Sequence, residues 1–301
     1  MNREAFLECM AWCGTGVVYG LTGSGMVGRA LADTTNGAMP PATRTFVQIS
    51  DTHIGFNGKA NQDVISTFAQ AIDKINALSM PPEFVIHTGD LTHLSKPEQF
   101  DTVKQMLCTI KAGAFYAVPG EHDVINDGGT AFFKMFGQPS GNRWFSFDAA
   151  GVHALALTNV VDITKGGILG RDQLEWARMD LAKQKADTPI VVMAHIPLYA
   201  VYPDWGWTTD DQMELLDQLR RFDTVTVLNG HIHQVLSKVD GKITFYTAAS
   251  TAFPQPKPGA APNPGPMTVP AGELGKLLGI RTVSLQGGSH QIAVADESLA
   301  K

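Results

Sequence analysis

Histidine and carboxylate side chains recur in five short clusters along this chain, in combinations that could bind metal ions. The clusters are Asp51-Thr52-His53, Gly89-Asp90, Gly120-Glu121-His122-Asp123, His195 and Gly230-His231-Ile232-His233. Imidazole nitrogens together with carboxylate oxygens suit first-row divalent cations, and the clusters hold more donors than one tetrahedral ion requires. A single Asp-x-His or Gly-Asp motif is usually a turn or a helix cap. Five clusters in this arrangement predict a site for two metal ions.

Each cluster directly follows a short apolar run that is typical of a buried strand. The runs are Thr45–Ser50, Phe84–Thr88, Ala114–Val118, Ile190–Ala194 and Val225–Asn229. Short segments rich in β-branched and aromatic residues predict core strands of an α/β sheet. Open α/β sheets place their sites beyond the carboxyl ends of the strands. We therefore expect the clusters to meet in one crevice.

Taken together, the clusters resemble the motif set of the calcineurin-like metallophosphoesterase superfamily, which reads D-x-H, G-D, G-N-H-[E/D], H and G-H-x-H. The resemblance covers about residues 45 to 250. The helical segment from Gly170 to Lys185, followed by His195-Ile196-Pro197, is similar to the cyclic-nucleotide phosphodiesterase-like branch. One position departs from the family pattern, because Glu121 stands where the family has a metal-binding Asn.

The resemblance implies a centre of two divalent metal ions, with manganese, iron or zinc as candidates. The implied ligands are Asp51, His53 and His233 for one ion, Glu121, His195 and His231 for the other, and Asp90 as the bridge. A hydroxide that bridges the two ions would attack phosphorus, while His122 would act on the leaving-group oxygen. Asp123 would orient the His122 imidazole. His93 is either an outer-shell partner of the site or a residue at the start of a helix.

The resemblance also implies a hydrolase whose partner is a small phosphate ester. A phosphodiesterase is favoured, with cyclic nucleotides as the leading substrates and nucleotides or phospholipid headgroups as runners-up. A phosphomonoesterase is the first alternative. Because Glu121 departs from the family pattern, a second class stays open: a metal-binding sensor or partner protein of the same fold with weakened catalysis.

Outside the clusters, the hydrophobic pattern alternates between helices and strands. Apolar positions fit one helix face in residues 61–78, 98–110, 171–181 and 210–222. In the third of these, Leu174, Ala177, Met179 and Leu181 are predicted to line the buried side. Hairpins are predicted over 144–157, over 235–247 through Asp240-Gly241, and over 281–294 through Gly287-Gly288. The pattern predicts an α/β fold of two packed mixed β-sheets flanked by helices, the four-layer sandwich that is typical of metallophosphoesterases.

Two segments could cover the crevice. Residues 254–275 are rich in Pro, Gly and Ala and exceed the length of an ordinary connection, so they form either a lid or a solvated excursion. Residues 199–209 carry Tyr202, Trp205 and Trp207. These rings either stack on a base or sugar of the substrate or form a local hydrophobic cluster.

Size and composition are typical of one globular domain, which we place at residues 45–301. The chain has 301 residues, of which 44% are hydrophobic and 17% charged. Its formal net charge of -6 offers no basic surface for a nucleic-acid polymer. Three cysteines, at positions 9, 13 and 108, argue against a disulfide framework. Cys108 lies in an apolar-periodic segment and is predicted to be a buried, unreactive thiol.

The first 32 residues differ from the rest of the chain. A Gly-rich apolar stretch from Met10 to Val27 and the sequence Ala30-Leu31-Ala32 resemble a bacterial export signal, most like a twin-arginine one. We expect cleavage after Ala32 and a periplasmic protein, with residues 33–44 as a polar linker. Only one Arg is present and two Glu reduce the positive charge, so an uncleaved flexible arm on a cytoplasmic protein is the alternative. The many small residues of the stretch argue against a transmembrane span.

Overall fold

The computed structural model describes residues 43–137, 141–160, 166–285 and 292–300. The predicted export signal over residues 1–32, most of the predicted linker and the predicted turn at Gly287-Gly288 lie outside the described residues. No helix in the described part of the chain combines the length and hydrophobicity that a membrane span needs.

The described strands form two mixed sheets. They are β1 (Arg44–Ile49), β2 (Val85–His87), β3 (Phe115–Ala117), β4 (Phe145–Ala149), β5 (Val152–Ala156), β6 (Ile190–Met193), β7 (Val225–Asn229), β8 (Leu236–Asp240), β9 (Ile243–Thr247), β10 (Gly279–Leu285) and β11 (Ile292–Ser298). A five-stranded sheet has the order β11-β10-β1-β2-β3, and a six-stranded sheet has the order β4-β5-β6-β7-β9-β8. The prediction of two mixed sheets flanked by helices is confirmed.

The strands that precede the five clusters are parallel neighbours within each sheet. β1 pairs with β2 and β2 with β3 in parallel, and β6 pairs with β7 in parallel. The three predicted hairpins are antiparallel pairs, β4 with β5, β8 with β9, and β10 with β11. Because parallel strands run in the same direction, the segments that follow β1, β2 and β3 leave their sheet at one edge, and so do those that follow β6 and β7.

A hydrophobic core lies between the two sheets and holds these edges together. Its buried side chains come from both sheets and include Phe46, Ile86, Val191, Met193 and Leu228. Burial of one such side chain contributes roughly 1.5–3 kcal/mol. β2, β6 and β7 are buried along their whole length, which explains why these runs read as continuously apolar rather than alternating.

Helices cover the outer faces of the sheets. They are α1 (Val64–Asn76), α2 (Pro97–Leu107), α3 (Glu121–Val124), α4 (Thr130–Phe136), α5 (Arg171–Leu181), α6 (Gln212–Leu219) and α7 (Leu274–Leu277). α1 begins after Asp63, whose side chain accepts a hydrogen bond from the Ser66 N–H at 3.0 Å. Pro97 occupies the first turn of α2, where its missing N–H costs nothing. Three of the four predicted helical segments contain one of these helices, and the segment 98–110 overlaps α2, which begins one residue earlier at Pro97.

Two predictions about individual side chains are wrong. Met179 is 51% exposed, whereas Leu174, Ala177 and Leu181 are buried. Met179 lies two residues from both Ala177 and Leu181, which turns it about 200° around the helix, away from the buried face. Cys108 is exposed where α2 ends, so the prediction that it is buried is wrong.

Candidate active site

The seven side chains predicted to bind metal lie together, where strands of both sheets end. Asp51 and His53 follow β1, Asp90 follows β2, Glu121 follows β3, His195 follows β6, and His231 and His233 follow β7. One group of donor atoms within 4.8 Å of one another comes from Asp51, His53 and His233, and a second comes from Glu121, His195 and His231. These are the two triads that the resemblance implies. Each triad draws residues from both sheets, so the packing of the sheets assembles the site.

Asp90 lies between the two triads. Its Oδ2 atom is 3.5 Å from Nε2 of His53 and 3.4 Å from Nε2 of His195. Its other oxygen, Oδ1, accepts a hydrogen bond from the backbone N–H of His122 at 2.9 Å. One carboxylate oxygen therefore faces a histidine of each triad, which is the position that a bridging ligand requires.

Ring nitrogens of the site's histidines lie close to one another and to the Asp51 carboxylate. Nε2 of His53 lies 3.2 Å from Nε2 of His233, which is 3.3 Å from Oδ1 of Asp51. The Nδ1–H of His233 donates to the Phe253 carbonyl at 2.6 Å, and that of His195 donates to the Thr88 carbonyl at 2.6 Å. With Nδ1 donating away from the site, Nε2 of each ring is the nitrogen that would bind a metal ion once the ring is neutral.

The second triad contains buried polar atoms that the protein itself does not satisfy. Oε2 of Glu121 lies 2.9 Å from Nε2 of His195, and Oε1 lies 2.9 Å from Nδ1 of His231. Oε2 of Glu121, Nε2 of His195 and Nδ1 of His231 are nevertheless buried without a hydrogen-bond partner among the described residues. An unpaired buried polar atom costs about 1–3 kcal/mol. A divalent cation would satisfy all three atoms at once, so the residues present fit a metal ion.

The charges of the site also suit a cation. Burial lowers the pKa of His53 well below its ordinary value, and the nearby His122 and His233 lower it further. Burial opposes ionisation of Glu121, yet His231 and His195 hold its pKa well below the ordinary value. His53 is therefore neutral and Glu121 is anionic. Metal binding requires both of these states, and it would also have to displace a proton from His195, because Asp90 and Glu121 raise the pKa of His195 well above its ordinary value against the effect of burial.

The backbone at the predicted ligands adopts a conformation that most residues avoid. Positive φ angles occur at Asp51 (55°), His53 (42°), Asp90 (56°), His231 (70°) and His233 (54°). The left-handed region costs an ordinary residue roughly 1–2 kcal/mol, and Asp and His enter it more often than most. Hydrogen bonds between loops hold this backbone, among them His53 N–H to Asp90 O at 2.9 Å. Strain maintained in this way is typical of functional sites.

Two glycines of the motifs leave space for the ligands beside them. A Cβ atom on Gly89 would lie 2.3 Å from Nδ1 of His195, and the φ of +99° there disfavours other residues. A Cβ atom on Gly120 would lie 2.0 Å from Oδ1 of Asp90. Both distances are far shorter than any real contact, so any larger residue would displace a predicted ligand.

His122 borders the site, as predicted. Its Nδ1–H donates to the backbone carbonyl of His93 at 2.7 Å, which leaves Nε2 free. A ring nitrogen of His122 lies within 4.8 Å of carboxylate oxygens of Asp90 and Glu121. His93 lies against the same ring, with the two imidazoles stacked at 4.9 Å and an interplanar angle of 16°. His93 is therefore a neighbour of the site, and it precedes the start of α2 at Pro97.

The predicted role of Asp123 is wrong. Its carboxylate accepts four hydrogen bonds, from the N–H groups of Leu91, Thr92 and Gly120 and from the Thr92 hydroxyl, at 2.8 to 3.0 Å. Because these donors come from the loops that carry Asp90 and Glu121, Asp123 ties the two ligand loops together. The carbonyl of His93, not Asp123, binds the His122 ring. The backbone donors were invisible in the sequence.

The aromatic segment behaves mainly as a local cluster. Trp207 is 1% exposed, so no face of its ring is open to a substrate, and its predicted stacking role is wrong. Its ring packs edge-on against Trp205 at 5.0 Å, and Trp205 packs against Tyr202 at 5.1 Å. Tyr202 and Trp205 keep partly exposed rings.

Segment 254–275 begins beside the loop that carries His231 and His233. Gln255 donates from Nε2 to the carbonyl of His231 at 3.0 Å, and the carbonyl of Phe253 holds the His233 ring. Residues of this segment help to line a cavity of about 740 Å³, together with His233. The sequence analysis did not identify Phe253, Gln255 or Thr88. Phe253 and Thr88 act through backbone carbonyls, which any residue offers, so their residue types carry no signal.

Comparisons with known proteins agree with this geometry. The family model for calcineurin-like phosphoesterases matches residues 44–235. The "Probable cyclic nucleotide phosphodiesterase" of Rhodococcus erythropolis is 26% identical over 226 residues, which are 72% of this chain and 73% of that protein. A serine/threonine-protein phosphatase of Mus musculus is 28% identical over 215 residues, which are 63% of this chain and 69% of that protein.

Among solved structures, the fold is similar to that of a purple acid phosphatase from yellow lupin seeds. The TM-score is 0.62 at 15% sequence identity, with 86% of this chain covered. This chain spans about half of the lupin enzyme, 52% of its length. At this identity the likeness shows the fold alone. The family model, in contrast, covers every predicted metal ligand from Asp51 to His233, and this match shows that the chain belongs to the calcineurin-like phosphoesterase family.

Proposed function

We propose that this protein hydrolyses phosphate esters with two divalent metal ions and prefers phosphodiesters. The observation that carries the proposal is the position of Asp90, whose Oδ2 atom is shared between His53 of one triad and His195 of the other. The family uses a dinuclear site for divalent metal ions, and the clusters of this chain supply the donors for one.

Each triad would hold one ion, with Asp90 between them. Oxygen and imidazole donors in this mixture suit manganese, iron or zinc. When bound, the two ions would supply a Lewis acid that lowers the pKa of a water molecule and neutralises the oxygens of the phosphate. The protein must hold the metal-binding nitrogens in place. Hydrogen bonds from Nδ1 of His195 and His233 to backbone carbonyls fix the orientation of these two rings.

His122 would donate a proton to the leaving-group oxygen. Its Nδ1–H is engaged by the carbonyl of His93, so the ring cannot rotate freely and Nε2 is the nitrogen available to a substrate. In the metal-free protein, Asp90 and Glu121 raise the pKa of His122 against the effect of burial. A protonated imidazole beside the site can donate its proton to the departing oxygen.

Glu121 favours diesters over monoesters. It is a third carboxylate beside Asp51 and Asp90, in a position where the family pattern has a neutral Asn. An added negative charge repels a dianionic monoester more strongly than a monoanionic diester. Cyclic nucleotides are our leading candidate substrates, and the similarity to the probable cyclic nucleotide phosphodiesterase of Rhodococcus erythropolis supports this choice. The phosphatase name of the mouse relative supports a phosphomonoesterase as the alternative.

The decisive experiment compares two aryl substrates. We expect the purified full chain, stripped of metal and reloaded with Mn²⁺, to hydrolyse bis(4-nitrophenyl) phosphate faster than 4-nitrophenyl phosphate, and then to hydrolyse cyclic AMP. The Asp90→Ala variant gives the background rate. A faster monoester rate would replace our proposal with a phosphomonoesterase. Stoichiometric metal without turnover of either ester would instead indicate a metal-binding sensor or partner protein.

A further inference from the structure

We propose that His93 is a positioning residue that joins the metal site to the leaving-group histidine. Its ring would act as the hydrogen-bond acceptor behind the metal ligand His53, and the same ring would fix the orientation of His122. This inference rests on the proposed function, because it takes His53 as a ligand and His122 as the proton donor.

The hydrogen-bond partner of Nδ1 in His53 differs from the partners of Nδ1 in two other predicted ligands, His195 and His233. His195 and His233 donate from Nδ1 to backbone carbonyls, each at 2.6 Å. Nδ1 of His53 faces no carbonyl but lies 3.3 Å from Nδ1 of His93. A backbone carbonyl is present whatever the sequence, whereas this contact depends on a side chain.

The surroundings of His53 indicate which of the two Nδ1 atoms, that of His53 or that of His93, carries the shared proton. His53 directs Nε2 into the site, 3.5 Å from Oδ2 of Asp90 and 3.2 Å from Nε2 of His233. As a metal ligand His53 therefore carries its proton on Nδ1, and Nδ1 of His93 must accept it. An acceptor at this place fixes the ring and makes the imidazole a more basic ligand.

The contact with His122 uses both the backbone and the ring of His93. The carbonyl of His93 accepts the Nδ1–H of His122 at 2.7 Å. The two rings stack at 4.9 Å and 16°. The His93 ring also makes a T-shaped contact with the Phe56 ring, with centroids 5.2 Å apart and an interplanar angle of 85°. The His93 ring therefore packs against both Phe56 and His122, so a shift of this ring would move the His122 imidazole.

Two substitutions separate these two contacts. His93→Asn keeps a side-chain acceptor two bonds from Cβ, where Nδ1 now lies, but removes the stacked ring. His93→Phe keeps a ring against His122 but removes the acceptor. Both variants keep the backbone carbonyl, so any difference between them belongs to the side chain.

The first measurement is metal binding, which needs no turnover. We expect calorimetric titration of the apo-protein with Mn²⁺ to show one of the two sites weakened about 10- to 100-fold in His93→Phe, the usual effect of losing such a partner. His93→Asn should bind both ions nearly as the wild type does. Thermal unfolding of the metal-free variants should be similar, which separates this effect from a general loss of structure.

The second measurement is the dependence of kcat on the leaving group at saturating Mn²⁺. His93→Asn should lose more rate with an alkyl leaving group than with 4-nitrophenolate, because an unstacked His122 protonates the departing oxygen poorly. His93→Phe should keep the wild-type ratio of the two rates.

The inference is overturned if both variants match the wild type in both measurements, or if both variants lose both properties equally. Failure of the proposed function has a different signature. In that case the wild type would turn over no phosphate ester, while His93→Phe would still release one ion more readily than His93→Asn.

Discussion

Glu121 and His231 face each other across the site, with Oε1 of the glutamate 2.9 Å from Nδ1 of the histidine. The other oxygen of the same carboxylate lies 2.9 Å from Nε2 of His195. One carboxylate therefore spans both histidines of its triad. An Asn here would present a single neutral oxygen, and its NH2 group could only donate. Compared with an Asn, Glu121 thus adds a second acceptor oxygen and a negative charge to the triad that it forms with His195 and His231.

We expect Glu121→Asn to shift the balance between substrates and to weaken metal binding. Without the extra charge, the rate for 4-nitrophenyl phosphate should rise relative to that for bis(4-nitrophenyl) phosphate, because the dianion suffers more from a nearby carboxylate. One ion should become easier to remove with chelator, which elemental analysis would measure. Glu175→Gln, an exposed glutamate beside Arg178 in α5, is the matched control and should change neither property. A fall in both rates would show that Glu121 takes part in catalysis directly.

His122→Ala should retain both metal ions while losing rate. We expect a loss of about a hundredfold or more for poor leaving groups, the ordinary size of a general-acid contribution. An aryl leaving group needs little protonation and should lose less. Steady-state rates over a series of diesters would measure the difference. Equal losses across the series would contradict the proton-donor role, and loss of metal would make His122 a ligand instead.

Asp90→Ala should abolish metal-dependent stabilisation. A ligand present at a hundred times its Kd stabilises the folded state by about 2.7 kcal/mol, so Mn²⁺ should raise the unfolding temperature of the wild type and chelator should reverse this. The variant lacks the carboxylate between His53 and His195 and should show no such shift. Asp101→Ala, an exposed position of α2, is the control. A full Mn²⁺-induced shift in Asp90→Ala would exclude Asp90 as the bridge.

Gly120→Ala tests whether the glycines of the motifs make space for ligands. The new methyl group would lie 2.0 Å from Oδ1 of Asp90, so one of the two must move. Overpacking of this kind costs roughly 1–3 kcal/mol, and we expect lower stability together with weaker metal binding. Gly275→Ala meets its nearest neighbour at 3.4 Å, an ordinary contact, and should be tolerated. Chemical denaturation would compare the two. Metal binding unchanged in Gly120→Ala would mean that the loop adjusts without moving Asp90.

The chemistry-bearing residues of this protein could be predicted because each follows a buried strand. Hydrophobic runs such as Val225–Asn229 identify strands on their own, and parallel strands bring the residues that follow them to a shared edge. Asp51 and Asp90 were therefore predictable as neighbours at the edge of one sheet, and His195 and His231 at the edge of the other, whereas the motif resemblance predicted that they form one site. Their residue types favour the binding of divalent cations.

Only the tertiary structure decided the hydrogen-bond partners and the burial of the side chains around the predicted ligands. Asp123 stands beside His122 in the sequence, yet its carboxylate binds N–H groups of the loop that follows β2. His93 reaches His53 across forty residues, and Trp207 is buried by its neighbours rather than exposed to the cleft. The reason is physical: strands and helices follow from periodic local preferences, whereas hydrogen-bond partners and burial depend on which loops the packed sheets bring together. The sequence by itself determined which residues can bind metal, and the packing of the two sheets decided which residues orient them.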